Sequence, residues 1–306
     1  MYETYRQIDK FEPFLFIAIE DEVIVGCLLA IVQKEFNGLL GRFTQRSIIM
    51  GGPIADTPEV ADELLKKYDN AVSNKAIYSE LRNLFDMSQF SEIFSKNGYI
   101  YESHLDIHID LLKKAEEITR SVSKNKRGNV SKSTNKGTLF VEINDDENYL
   151  KCVKLIQQTY KRIALPCPGI GFFNVFKETL KNKGILKVFV AKNNGLIVGA
   201  RIELCYKGVI YDWFAGSDDN AKNLYPNDFL PYNILMWGNE NNYESFDFGG
   251  AGKPDIPYGV REHKLKFGGE LVEFGRYKKI HQPIMMYIGT IGLKVYKMIK
   301  KMKKWF

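Results

Sequence analysis

Two stretches of the chain carry the same order of apolar and polar positions. Residues 16–26 read Phe-Ile-Ala-Ile, then a polar turn, then a run that reaches Ile-Val-Gly. Residues 188–199 read Val-Phe-Val-Ala, then a polar turn, then Ile-Val-Gly. Two apolar runs around a short polar turn are typical of a β-hairpin. The pattern therefore predicts two equivalent hairpins, whose glycines Gly26 and Gly199 are 173 residues apart.

The similarity continues after each hairpin. A glycine at a strand end comes next, followed by a helical stretch, a strand that begins at a tyrosine, a second helical segment and a strand that begins with glycine. The matching positions are Gly51 and Gly216, helices 58–74 and 228–242, Tyr78 and Tyr243, and Gly98 and Gly268. Because five matches occur in one order, we interpret them as a duplication. We predict a mixed α/β protein with two similar units, 1–111 and 138–282.

The two units are expected to differ at their beginnings. Helix-like segments at 147–162 and 172–183 precede the second hairpin, and no counterpart precedes the first hairpin after Met1. We therefore expect the first unit to be incomplete at its N-terminus, either because it is naturally shorter or because the gene begins upstream.

A basic segment, residues 112–137, is predicted to join the two units and to form one or two helices. Its second half contains six basic residues and no acidic one: Arg120, Lys124, Lys126, Arg127, Lys132 and Lys136. Such a run is either the solvated face of a helix or a surface that contacts phosphate, and both interpretations remain open. Apolar positions are too sparse here to predict a core helix.

The C-terminal residues 283–306 are predicted to form a basic amphipathic helix. From residue 285 onward, apolar residues recur at helical spacing among six lysines, and Trp305 and Phe306 end the sequence. Such a helix either packs on the body of the protein or lies on an anionic membrane surface. We favour the membrane, because the charge is concentrated and two aromatic residues close the helix.

Composition, charge and missing motifs restrict the classes of function that the sequence allows. The chain has 306 residues and a net charge of +6, which suits a partner rich in phosphate. Four cysteines without metal-ligand or CxxC spacing indicate reduced thiols and a cytoplasmic protein. No P-loop, no G-x-S-x-G elbow and no histidine cluster for a metal is present in the sequence. We expect no metal and no bound cofactor.

Three motifs together resemble the Fem family of peptidoglycan interpeptide-bridge aminoacyltransferases. Residues 127–137 (RGNVSKSTNKG) are similar to the family's R-x-x-I-x-K-A-x-x-x-G stretch. Residues 246–250 (FDFGG) and 259–269 (GVREHKLKFGG) are similar to F-x-F-x-G followed by F-K-x-x-F-G. The order and spacing of these motifs are specific, and the resemblance covers nearly the whole chain. His263 stands where the family usually has Phe, and Ser133 replaces an Ala.

This resemblance implies two tandem GNAT-like acyltransferase units and transfer of an acyl group to an amine. The implied donor is aminoacyl-tRNA, and the implied acceptor is a lipid- or nucleotide-linked cell-wall precursor. Neither unit has the R/Q-x-x-G-x-G/A loop that binds coenzyme A. We therefore favour aminoacyl-tRNA over coenzyme A as the acyl donor. Two alternatives remain: an acyl-CoA-dependent N-acyltransferase of exopolysaccharide assembly, and a non-catalytic tandem-GNAT binding module. The implied location is the cytoplasm, peripheral to the inner face of the membrane.

Lys264 is the first candidate for catalysis, because it matches the lysine of F-K-x-x-F-G. An inward lysine could stabilise a tetrahedral oxyanion, whereas a structural lysine would pair with Asp247 or Asp255. At helical spacing Lys264 faces the same way as Val260 and Phe267, and Lys266 points elsewhere. The expected substrate-binding residues are Arg127, Lys132, Tyr211, Asp212, Tyr225, Asp247 and Arg261. Aromatic residues such as Tyr211 and Tyr225 line either a cleft or the core.

Overall fold

The computed structural model describes residues 1–35 and 41–302, with side chains described as far as residue 292. The described helices and strands form two compact units. One comprises Met1–Ser103 and Phe274–Phe306, and the other comprises His104–Glu273.

The first unit contains one sheet and its flanking helices. Its strands are β1 (Phe11–Glu20), β2 (Val23–Gln33), β3 (Arg46–Met50), β4 (Ile54–Ala55), β5 (Tyr78–Arg82), β6 (Ile100–Glu102) and β14 (Arg276–Ile280). Its helices are α1 (Tyr2–Tyr5), α2 (Pro58–Val72), α3 (Ser91–Lys96) and α10 (Pro283–Met302). The strand order is β1-β2-β3-β5-β14-β6, and β4 pairs with β2.

The second unit repeats the main strand order of this sheet and adds one strand at the edge next to its hairpin. Its strands are β7 (Leu105–Asp110), β8 (Leu139–Glu142), β9 (Leu186–Asn193), β10 (Leu196–Tyr206), β11 (Val209–Ser217), β12 (Ser245–Gly252) and β13 (Glu270–Val272). Its helices are α4 (Ala115–Ser121), α5 (Lys124–Asn135), α6 (Asp146–Arg162), α7 (Ile170–Leu180), α8 (Pro226–Glu240) and α9 (Gly259–Leu265). The strand order is β13-β7-β12-β11-β10-β9-β8.

The predicted duplication is confirmed by the topology. The hairpin β1–β2 holds the place in its sheet that β9–β10 holds in the other, and each sheet has one parallel pair, β3 with β5 and β11 with β12. In the second unit β8, α6 and α7 precede the hairpin, whereas in the described part of the first unit only α1 precedes it.

The duplicated glycines serve the same packing. A side chain on Gly26 would lie 2.7 Å from Val60 of α2, and one on Gly199 would lie 2.7 Å from Pro226 of α8. The next contact in each case is a leucine one turn further along the same helix, at 3.1 Å. Glycine is therefore required where a helix crosses the second strand of each hairpin.

The unit boundaries differ from those predicted at residues 111 and 282. β7 lies in the second sheet, where Ile107 and Ile109 are buried in the core. β14 lies in the first sheet, where the ring of Tyr277 packs 4.2 Å from that of Phe94. The prediction assumed that each unit is continuous along the chain, whereas each sheet takes one strand from beyond the predicted boundary.

The basic segment 112–137 forms two helices, as predicted, but they belong to the second unit and not to a linker between units. It forms α4 and α5 of the second unit, and Ile118, Val122 and Val130 are buried in that unit's core. These three apolar residues attach the helices to the core, and in α5 the polar residues Lys126 and Ser133 are buried as well.

We predict that Gly199→Ala destabilises the protein by about 1–3 kcal/mol, because the added methyl group overlaps Pro226. Chemical denaturation measures the change. The matched control is Gly128→Ala in α5, where the new methyl group meets no atom within 4 Å and improved helix propensity should raise stability by up to about 1 kcal/mol. Equal effects of the two substitutions would contradict the packing argument.

Candidate active site

The two parallel strands at the centre of the second sheet separate after a short paired stretch. β11 pairs with β12 over residues 209–211 and 245–247, and both strands then continue for at least five residues. In the first sheet, by contrast, β3 and β5 pair along their whole length, 46–50 with 78–82. The strand separation therefore distinguishes the second unit and locates a candidate site there.

β12 bends at the point where it leaves β11. Gly249 adopts φ +66°, a conformation that favours glycine, and its N–H donates to Asp247 Oδ1 at 2.6 Å. The register against β7 shifts between Asp247 and Gly250. A side chain on Gly249 would lie 3.4 Å from the Tyr211 hydroxyl. Tyr211 and Asp247 form the last pair of the β11–β12 ladder, and the bend follows directly after them.

Lys264 of α9 binds these carbonyls. Its Nζ donates to the carbonyl oxygens of Phe248 at 2.6 Å and Gly250 at 3.0 Å, and lies 3.4 Å from that of Gly249. Burial lowers the pKa of the Lys264 ammonium. Lys266 is exposed. Neither Asp247 nor Asp255, the structural partners considered from the sequence, accepts a hydrogen bond from Lys264 in the described structure.

A buried ion pair lies next to this lysine. Arg201 of β10 binds Asp212 of β11 at 2.5 Å, and both side chains are buried. Glu203 stands opposite Asp212 in the antiparallel register and is fully buried. Burial first, and then the charge of Asp212, raise the pKa of Glu203 well above its ordinary value. Glu203 thus lies beside the Arg201–Asp212 ion pair in a fully buried position that disfavours its charged form.

A second polar cluster joins α5, α8 and α9. Lys126 donates to Asp228 Oδ1 and, at 3.0 Å, to His263 Nδ1. Asn129 donates to the other oxygen of Asp228 at 2.7 Å. Burial first, and then the charge of Lys126, lower the pKa of His263. The neutral imidazole accepts from the ammonium, so a histidine fits where the family usually has Phe.

The structure brings four of the sequence-predicted residues together. Tyr211, Asp247 and Lys264 surround the bend at Gly249, and Asp212 lies within electrostatic range of Lys264. These four residues belong to β11, β12 and α9, and all of them lie near the point where β11 and β12 separate.

The other four predicted residues lie elsewhere. Arg127 and Lys132 are exposed on α5, and the Lys132 ammonium lies 5.8 Å from the ring centre of Tyr225. Arg261 donates to the carbonyl oxygens of Lys253 at 2.7 Å and Ile256 at 2.8 Å. Arg261 thus holds the loop between β12 and α9, and its role as a substrate ligand remains a prediction.

Sequence reasoning did not select five residues of these clusters. They are Lys126, Arg201, Glu203, Asp228 and His263. One signal was available, because Arg-Ile-Glu at 201–203 places two charges on one face of an otherwise apolar strand. Lys126 gave no signal, since it resembles its exposed neighbours in the basic run.

Comparison with known proteins agrees with the topology. Residues 120–264 match the acetyltransferase (GNAT) domain family. The structure is similar to that of FemX, with a TM-score of 0.74 and 14% identity over 94% of this chain and 92% of that one. It is also similar to L-PGS from Bacillus licheniformis, with a TM-score of 0.58 and 16% identity over 85% of each chain. No curated protein matches the sequence.

A third similar structure is a tandem GNAT protein from the clavulanic acid biosynthesis pathway, with a TM-score of 0.57 and 9% identity over 89% of this chain and 84% of that one. Most of the second unit thus matches the GNAT domain family, and the match ends at Lys264. The predicted Fem-like tandem-GNAT fold is confirmed.

We predict that His263 makes stability depend on pH. Because its pKa is lowered in the folded state, the unfolded chain takes up a proton more readily, and the native state loses stability as pH falls below about 6.5. His263→Gln should reduce this loss between pH 7.5 and 5.5 and keep an acceptor for Lys126. Denaturant unfolding of both proteins across this range measures it. Identical pH slopes would contradict the assignment.

Proposed function

We propose that the protein is an aminoacyltransferase that moves an aminoacyl group from aminoacyl-tRNA to an amine of a peptidoglycan precursor. The observation that carries the proposal is the partly buried Lys264 ammonium, which binds backbone carbonyls at the point where β11 and β12 separate. The Fem-like motifs at 127–137, 246–250 and 259–269 support it, as does the similarity of the fold to FemX.

The chemistry requires a fixed positive charge next to a carbonyl. An amine attacks the ester carbonyl, an N–C bond forms, and the carbonyl oxygen becomes negative until the C–O bond to the donor breaks. The amine loses a proton and the leaving oxygen gains one. Lys264 supplies the charge, and its hydrogen bonds to Phe248 and Gly250 hold it in place before the reaction. Preorganised charge away from water stabilises such an oxyanion strongly.

The surroundings of α8 favour tRNA over coenzyme A as donor. Coenzyme A-dependent GNAT enzymes hold the diphosphate at a helix N-terminus. Here the first turn of α8 carries Asp228, whose carboxylate is buried against Lys126. A buried ion pair already occupies this place, which disfavours binding of a diphosphate there. The exposed basic residues of α5, including Arg127 and Lys132, offer the phosphates of a nucleic acid a separate contact.

The C-terminal helix supports a lipid-linked acceptor. No helix among the described residues has the length and apolar content to cross a membrane. The first half of α10 nevertheless exposes Ile284, Tyr287, Ile288 and Ile291, which recur at i, i+3, i+4 and i+7. The lysines from 294 onward follow them in the sequence, and residues 303–306 lie outside the described residues. An apolar stripe followed by positive charge suits an anionic membrane surface.

We expect Lys264→Met to lower the turnover of aminoacyl transfer by on the order of 100-fold or more, because one oxyanion-stabilising group is lost. Michaelis constants should change less, since the charge acts mainly on the transition state. Lys266→Met is the control, because Lys266 is exposed on the same segment. Both variants need an unchanged melting temperature. Parental turnover in Lys264→Met, or equal damage by the control, would refute this role.

Arg127→Ala should weaken binding of charged tRNA and flatten its salt dependence, because each phosphate contact releases counterions. Titration at several salt concentrations gives the slope. Lys154→Ala is the control, since Lys154 is equally exposed but lies on α6. If both variants keep the parental slope, the basic face of α5 is only a solvated surface.

Residues 285–306 are expected to bind anionic membranes, at roughly 1 kcal/mol for each lysine near the surface. Flotation with phosphatidylglycerol vesicles should carry the full-length chain upward and leave a chain that ends at Pro283 behind. Neutral vesicles provide the control. Equal partitioning of both chains would show that α10 does not bind the membrane.

A further inference from the structure

His108 lies beside a buried carboxylate on the face of the second sheet away from Phe246 and Phe248. Its Nε2 is 3.5 Å from Asp247 Oδ1, and the two residues are directly opposite in the register of β7 and β12. The Asp247 side chain is 7% exposed, whereas the His108 side chain is 28% exposed. The sheet therefore fixes a histidine that reaches solvent against a carboxylate that does not.

A cavity of about 290 Å³ opens next to His108. Three carboxylates line it, those of Asp110, Glu244 and Glu270, together with the ammonium of Lys113. Glu270 stands opposite His108 on β13. The negative excess would draw in a protonated amine and disfavour an anion.

The bend at Gly249 lies between Asp247, the partner of His108, and Lys264. The Gly249 N–H donates to Asp247, which lies beside His108, and the Gly249 carbonyl lies 3.4 Å from the Lys264 ammonium. Side chains alternate along a strand, so Asp247 points away from the face that holds Phe246 and Phe248. An ester carbonyl at the bend would thus have a positive group on one side and a histidine with its carboxylate on the other.

We propose that the cavity beside His108 receives the acceptor, a primary alkylamine, and that His108 takes the proton which the amine must lose. This deepens the proposed function and rests on it. Neutral His108 accepts a proton from the alkylammonium, and the free amine forms the N–C bond with the ester carbon. The nitrogen of the tetrahedral intermediate then carries one further proton to lose. His108, after releasing its first proton to solvent, takes this second proton and delivers it to the leaving oxygen as the C–O bond breaks. Asp247 is a positioning residue that stabilises the protonated imidazole.

The charged groups around His108 suit this role. Burial lowers the pKa of His108, but the close contact with Asp247 and the negative charges of Asp247 and Asp106 raise that pKa by more, so the net shift is upward. Along its own strand His108 is flanked by Asp106 and Asp110, and Glu270 faces it from β13. Lys113, 3.8 Å from Asp110, is the one cation among the cavity's lining residues in the described structure.

The first test needs no transfer reaction. Proton NMR of the four histidine rings in the full chain, with His108 assigned through His108→Gln, is followed during titration with n-butylammonium and, separately, n-butanol. The His108 resonance should shift saturably with the amine and not with the alcohol, and Glu270→Gln should weaken the effect several-fold. An unmoved His108 resonance, or equal shifts with both probes, would overturn the amine site.

The second test uses the transfer assay. His108→Gln should lower turnover by about 10²- to 10⁴-fold and remove the acidic limb of the pH–rate profile. Asp247→Asn should move that limb to lower pH. His104→Gln, a histidine close by in the sequence, is the control and should keep parental turnover. If His108→Gln keeps the parental rate and profile, His108 is not the base. If the parent transfers nothing from aminoacyl-tRNA, the proposed function fails, and the NMR titration alone decides the amine site.

Discussion

The separation of β11 from β12 is the constraint on which the candidate site depends. Once the strands part, the carbonyls of β12 lose their neighbours in the sheet, and buried carbonyls need donors. Lys264 supplies them at Phe248 and Gly250. In the first unit the corresponding strands stay paired, so their carbonyls keep their hydrogen-bond donors within the sheet. One interruption of a β-ladder thus explains why a lysine is held against backbone carbonyls in one half of a duplicated fold.

The same bend organises both faces of the sheet. Gly249 adopts a left-handed conformation, which lets Asp247 accept the Gly249 N–H while the next carbonyls turn toward Lys264. A side chain at Gly249 would be strained by this backbone and would press on Tyr211. The backbone therefore fixes the positions of Lys264 and Asp247. These two charged side chains need little adjustment when a substrate binds.

Much of the fold could be predicted from the sequence, because the hairpins repeat their apolar pattern and the duplicated glycines pack against equivalent helices. Lys264 and Asp247 followed from family-like motifs, and burial of Lys264 agrees with its helical spacing to Phe267. The unit boundaries did not follow, since β7 and β14 join sheets that no local pattern specifies. The pairing of Lys126 with Asp228 also could not be predicted, because it joins residues that are 102 positions apart in the sequence.

The most direct measurement of the central claim compares donors. The purified full-length chain, with a UDP-linked muramyl pentapeptide as acceptor, would be given aminoacyl-tRNA in one reaction and acetyl-coenzyme A in another, and product would be followed in a single turnover. The account predicts an amide product from aminoacyl-tRNA and none from acetyl-coenzyme A. Transfer from acetyl-coenzyme A alone would contradict it.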